Sequence, residues 1–223
     1  MTPDGTPVPE DDGPGPDMGY TVVLPAGWVM LPTGEGADRA IDDLVRTLVA
    51  EAPRDSRRAR GDALRRAISP LVAEARAAQA RDVILPVAQP WVVPASASLT
   101  IGTVPAHAEV ASAHDLHVAG ATRGEASVTA TPAGPALREL VLVPPREEEE
   151  RVTSRREVTY SWVPRPGTVV IATLVVTATQ FDGSEQISLA LQDLGEAVMG
   201  SIAWTDPSTP ETVTADEDTH ATP

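Results

Sequence analysis

The chain has 223 residues, 42% of them hydrophobic and 3% aromatic, with 17 basic residues against 32 acidic ones and no cysteine. A folded body of this length buries about 70% of the surface its unfolded chain exposes and needs no covalent staple. The missing thiols exclude disulfide scaffolds, Cys-ligated zinc, iron–sulfur centres and cysteine nucleophiles, which leaves oxygen and imidazole chemistry.

The net charge of −15 is unevenly placed, because the stretches 1–19 and 205–223 carry −10 of it and hold no basic residue. Acidic ends rich in Pro, Thr and Asp bury too little apolar surface to offset the entropy of ordering, so both read as disordered tails around a body at 20–204. Acid at both ends also speaks against a nucleic-acid partner, whose phosphates it repels. All 17 bases are arginine and asparagine is absent, the codon signature of a GC-rich genome rather than selection for phosphate binding. No apolar run approaches the roughly 20 residues of a membrane-spanning helix. The start, Met1-Thr-Pro-Asp-Gly, has acid where a secretory signal has a basic region, so the expected location is cytoplasmic without membrane insertion.

Residues 20–32 read as two short strands broken by the turn-forming cluster 25–27. From 37 to 51 the apolar positions Ile41, Leu44, Val45, Leu48 and Val49 recur at helical spacing and predict an amphipathic helix. A second helix is predicted over 56–81, with Leu64, Ile68, Leu71, Val72 and Ala75 on one face and Pro70 as a point of kinking or splitting. A strand starts at Asp82. The character then changes, and strands are predicted over 98–103, 126–131, 137–143, 152–163 and 168–179. Compact turns at 132–135 and 165–167 make the strands they join antiparallel neighbours. In 152–163, Val158, Tyr160 and Trp162 share a core face; 168–179 is apolar on both faces, as a central strand covered on both sides would be. A last helix over 185–202 carries Ile187, Leu191, Leu194, Val198 and Ile202 as a stripe. The segment 104–125, rich in Ala, Gly, Thr and His, has no sustained periodicity.

Two clusters are candidate sites. His107, His114 and His117, with Glu109 and Asp115 nearby, offer imidazole and carboxylate donors of the kind zinc or another transition metal accepts; otherwise they are surface histidines in a loop. The stretch at the start of the second helix, with Arg57, Arg58, Arg65 and Arg66 beside Arg54 and Arg60, suits an acidic partner, a phosphorylated ligand or the chain's own acidic tails. Without such a partner it is a solvated helix face. The run Glu147 to Glu150 followed by Arg151, Arg155 and Arg156 reads as a solvated hairpin loop. Trp28, Trp91, Trp162 and Trp204 read as bulky anchors of a core otherwise built from Val, Leu and Ala. No Gly-x-Ser-x-Gly frame, no GxGxxG fingerprint and no phosphate loop with lysine is present, so no cofactor is expected.

The opening Tyr20-Thr-Val-Val-Leu-Pro-Ala-Gly-Trp28, the pair Glu157-Val-Thr-Tyr-Ser-Trp162 and Val169-Val-Ile-Ala-Thr-Leu-Val-Val176, and the ending Leu194-Gly-Glu-Ala-Val-Met-Gly-Ser-Ile-Ala-Trp204 together resemble the PsbP-like fold. The chain is also similar to proteins of high-GC bacteria. The resemblance implies an α+β fold, an antiparallel sheet with helices packed on it in a sandwich, and a mostly non-enzymatic role in binding other proteins. The helical insertion at 37–81 and the wide segment 104–125 depart from a minimal version, and no partner identity transfers. The function expected is a non-enzymatic cytoplasmic protein-interaction, adaptor or chaperone-like module. The alternative is a small-molecule or metal-binding protein, or an enzyme, built on the His107 to His117 region.

Overall fold

The alternation of apolar and polar residues along the second half of the chain becomes a long meander in the computed structural model, which describes residues 19–87, 95–120, 123–143, 152–179 and 183–205. The acidic tails, the glutamate run at 147–150 and Trp91 lie outside the described residues. In chain order the elements are β1 (Gly19–Thr21), β2 (Trp28–Pro32), α1 (Ala37–Val49), α2 (Arg54–Ala77), β3 (Ala80–Pro86), β4 (Ala95–Pro105) and α3 (Ala113–Val118). There follow β5 (Glu125–Thr131), β6 (Gly134–Val143), β7 (Val152–Arg165), β8 (Thr168–Thr179), α4 (Ser184–Gly200) and β9 (Ala203–Thr205). The expected α+β arrangement is present: a seven-stranded antiparallel sheet, ordered β2-β3-β4-β8-β7-β6-β5, with four helices.

Both compact turns do what their residues predict. Thr131 pairs with Gly134 and Arg165 with Thr168, so β5–β6 and β7–β8 are antiparallel hairpins. Gly167 supplies the left-handed φ of 79° that the second of these turns needs. The doubly apolar β8 is the middle strand, flanked by β4 and β7. Helix α2 runs unbroken through Pro70 for 24 residues, so Pro70 does not split it. A separate ribbon forms where β1 pairs with β9, Gly19 opposite Thr205.

The sheet has two faces, set by strand parity. On the front face, Leu99, Leu174 and Val158 stand in one cross-strand row, with Ile101, Ala172 and Tyr160 in the next. Helix α4 seals this face with Leu191, Val198 and Met199, and the cluster includes Trp28 and Ile84. Tyr20, Val22, Leu24 and Trp204 from the β1–β9 side pack against its margin. The helix comes close because Gly195 has no side chain; a Cβ there would run into Leu174. Trp162, 1% exposed, donates its indole N–H to Thr131 Oγ1 at 2.9 Å and meets Trp204 edge-on at 6.0 Å. Trp28 and Trp162 are thus anchors, as their positions predict, and Trp204 is half-buried against them.

On the back face a second, smaller cluster joins Ile41 and Val45 of α1, Ile68, Val72 and Ala75 of α2, and Val83 and Leu85 of β3. Helix α3 packs against β5, β6 and β7, where Leu137 and Ser161, pointing away from α4, are buried. Between α2 and α3 the back face is only partly covered. The odd positions of β8 from Ile171 to Thr179 are half-buried, whereas its even positions facing α4 are buried. Full cover on both sides of β8 is therefore met on the front alone. Among the described residues no helix is long and apolar enough to cross a membrane.

Candidate functional site

Within 104–120 the chain holds regular structure that its composition does not announce. Strand β4 extends to Pro105, and α3 is nucleated by a reciprocal cap: Ser112 Oγ accepts from the Asp115 backbone N–H at 3.2 Å, while Asp115 Oδ2 accepts from Ser112 Oγ at 2.9 Å and from the Ala111 N–H at 3.0 Å. The hydrogen bond from Ser112, then that from Ala111, holds the Asp115 carboxyl below the usual carboxylate range. His114 and His117 lie on this helix, and His107 stands on the loop before it; all three are exposed. Among the described residues no three His, Asp or Glu side chains gather as a metal site requires, so the structure does not bring His107, His114 and His117 together, and Asp115 is occupied as a cap.

The densest ionisable cluster lies instead under α4. Glu185, Ser188, Gln192 and Glu196 share one side of that helix by their spacing of three and four residues. They face arginines and a tyrosine raised by β6 and β7. Arg138 binds Glu196 through two parallel hydrogen bonds at 2.6 and 2.7 Å, and Tyr160 Oη and Gln192 Nε2 donate to the same carboxylate at 3.1 and 2.9 Å. Arg156 reaches Glu185 and Gln192. Burial pushes the Glu196 carboxyl up, but the hydrogen bonds from Arg138, Gln192 and Tyr160 and the charge of Arg138 outweigh it and leave the group below its ordinary value. Burial, then the charge of Glu196, raises the Tyr160 phenol. At neutral pH the carboxylate stays ionised and the phenol stays protonated, and the cluster pins α4 to the sheet. The alternation of β7 showed which face is buried but not that Arg138 would find Glu196, 58 residues away.

The arginines of α2 separate into two groups. Arg57 donates to the carbonyls of Ala50 and Ala52 at 2.7 and 2.8 Å and so closes the end of α1; Arg65 pairs with Asp42, and Arg66 donates to the Asp62 carbonyl at 3.2 Å. These bonds fasten α2 to α1 and to itself. Among the described residues Arg54, Arg58 and Arg60 make no hydrogen bond or ion pair, and all three are exposed. Arg60 borders an apolar groove of about 450 Å³ between α1 and α2, lined by Leu48, Val49, Ala63, Leu64 and Ala67. Of the predicted partner residues, Arg58 is the one left free.

A second recess of about 420 Å³ lies between α2 and the back of the sheet. Its roof is Leu71, Ala75 and Ala78, with Glu74 beside them, and its apolar floor is Val83, Leu85 and Val175. Ser98, Thr100 and Thr177 add hydroxyls, and Arg155 of β7 stands at the edge. No sequence signal marked this recess, because its residues come from five elements and only the strand register assembles them.

No family model matches the chain, and no curated protein matches it either. Among solved structures, the crystal structure of LpqN, involved in cell envelope biogenesis of Mycobacterium tuberculosis, is similar. It is 10% identical, the likeness covers 87% of this chain and 88% of that one, and the TM-score is 0.43. A likeness at that level carries no argument about what this chain does.

Proposed function

We propose that the protein is a non-enzymatic interaction module that receives an acidic, amphipathic segment of a partner protein on the paired helices α1 and α2. The observation that carries this reading is the groove between them, apolar along Leu48, Val49, Leu64 and Ala67 and bordered by the unpaired guanidinium of Arg60. An amphipathic partner helix laid in such a groove buries its apolar stripe while its acidic flank meets Arg60. Helix α2 buries Ile68, Val72 and Ala75, all in its C-terminal half, and in its first half, where Arg57 and Arg65 are held by α1 and the turn after it, Arg60 is left to serve as the docking rim. A PsbP-like ancestry and a cytoplasmic location belong to the same proposal, the first supported by the chain order of two strands, two helices, a strand meander and a closing helix.

Affinity purification of the full chain from its native cell tests this. Wild-type protein is expected to retain a stoichiometric protein partner, and the double variant Arg60→Glu, Ala67→Glu to lose it at least about tenfold, the size of one lost charge-assisted contact. Both positions are exposed, so the thermal midpoint should hardly move. Absence of any stoichiometric partner, or a partner indifferent to the double variant, sinks the reading.

A further inference from the structure

We propose that the recess between α2 and the back of the sheet is a binding site for a small monocarboxylate with an apolar body. It is separate from the α1–α2 groove and stands or falls without it. The recess has the size of a small-molecule pocket, and its walls combine an apolar side, from Leu71, Ala75, Val83, Leu85 and Val175, with a polar one from Glu74, Ser98, Thr100, Thr177 and Arg155. The space exists because α2 presents small residues there: Ala75 and Ala78 stand over strands whose outward side chains are Ser98, Thr100 and Thr177. Leu71 is 44% exposed at the mouth, an apolar side chain that a ligand's body would cover.

Arg155 sets the ligand's charge. Its Nη2 is 2.7 Å from Glu157 Oε1, two residues along the same side of β7, and its Nε is buried with no hydrogen-bond partner among the described residues. One corner of the guanidinium is therefore held while the rest keeps donor capacity beside the recess. An arginine with unmet donors at the end of an apolar slot selects an acceptor, and a carboxylate matches its planar fork. Glu157 on the guanidinium and Glu74 on the roof disfavour a second negative charge, so a carboxylate is preferred over a phosphate dianion. The hydroxyls of Ser98 and Thr100 give the body of the ligand a place for one polar substituent.

The test is titration calorimetry on the full chain with four probes of one shape: phenylbutyrate, phenylbutanol, phenylbutylamine and phenylbutyl phosphate. Phenylbutyrate is expected to bind tightest, about tenfold tighter than the alcohol, as one partly exposed charge-assisted hydrogen bond provides. Arg155→Gln is expected to erase that margin and leave the alcohol's affinity in place, whereas Ala78→Phe, which fills the slot from an exposed position, removes binding of all four. Methyl shifts of Leu71, Val83 and Val175 in the wild-type protein give a second reading that needs no variant. Tighter binding of the amine or the phosphate, a carboxylate margin that survives Arg155→Gln, shifts confined to other methyls, or no binding of any probe each overturns the proposal.

Discussion

The two faces of the sheet are built on opposite plans. On the front, α4 brings large apolar side chains, Leu191 and Met199, down onto β4 and β8, and along its flank Glu196 pairs with Arg138 and Glu185 with Arg156, although Arg156 Nε and Ser188 Oγ stay buried without a partner among the described residues. On the back, α2 touches the sheet with Val72 and Ala75 over β3 and then stands off, with Ala78 above a floor that mixes valine and leucine with serine and threonine. The difference is one of side-chain volume and polar pairing rather than of backbone. A helix that presents leucine and methionine fills the space to the sheet, and one that presents alanine leaves room for something else. The front face is closed by α4, and the back face keeps an open recess.

Three substitutions break or sharpen that contrast. Trp162→Ala should be the most damaging, because it empties the front core and removes the indole N–H that Thr131 accepts; a loss of about 3–5 kcal/mol in denaturant unfolding is expected. Arg138→Ala comes next. It leaves the Glu196 carboxylate with Tyr160 and Gln192 alone at a site where both charged partners are at most 20% exposed, at a cost of about 1.5–3 kcal/mol. Its pH signature is specific. The folded Glu196 carboxyl titrates below its unfolded value, so its contribution is complete above the ordinary glutamate range and disappears as pH falls through the lower, folded value. In Arg138→Ala that depression is relieved, so the share of acid-induced destabilisation that Glu196 supplies should vanish or reverse, and unfolding midpoints should fall less between neutrality and acid than in the wild type. Leu71→Ser, at the open mouth of the back recess, should change stability by less than about 0.5 kcal/mol. Equal losses for Trp162→Ala and Leu71→Ser would mean that the back recess is a closed core after all.

Much of the scaffold was legible because its signals are local. Ile41, Leu44, Val45 and Leu48 repeat at 3.6 residues and α1 follows, while the doubly apolar 168–179 could only be a strand in the middle of a sheet. What escaped was short or assembled at a distance. Helix α3 spans six residues, too few to show a period, and its one sequence mark is Ser112 with Asp115 three positions on, a capping signature. The arginine stretch on α2 read as one surface, yet Arg57 and Arg65 are spent on Ala50, Ala52 and Asp42, contacts that exist only once α1 and α2 lie side by side. The back recess was invisible for the same reason. Ser98, Val175 and Arg155 are brought together by the register of β4, β8 and β7, which no window along the chain contains.

The position of β8 has a consequence for the order in which the protein is made. The middle strand of the sheet is the last long strand in the chain, and β4 waits for its partner until the stretch 168–179 has been synthesised. A growing chain that has reached the end of β4 can pair β2, β3 and β4 and close α1 and α2 over their back, but the front of those strands stays bare. Trp28, Ile84 and Leu99 then face water until β8 and α4 arrive together. On the ribosome the molecule should therefore pass through a stage with an exposed apolar sheet edge, the part of its life in which a chaperone is most useful and aggregation most readily begins.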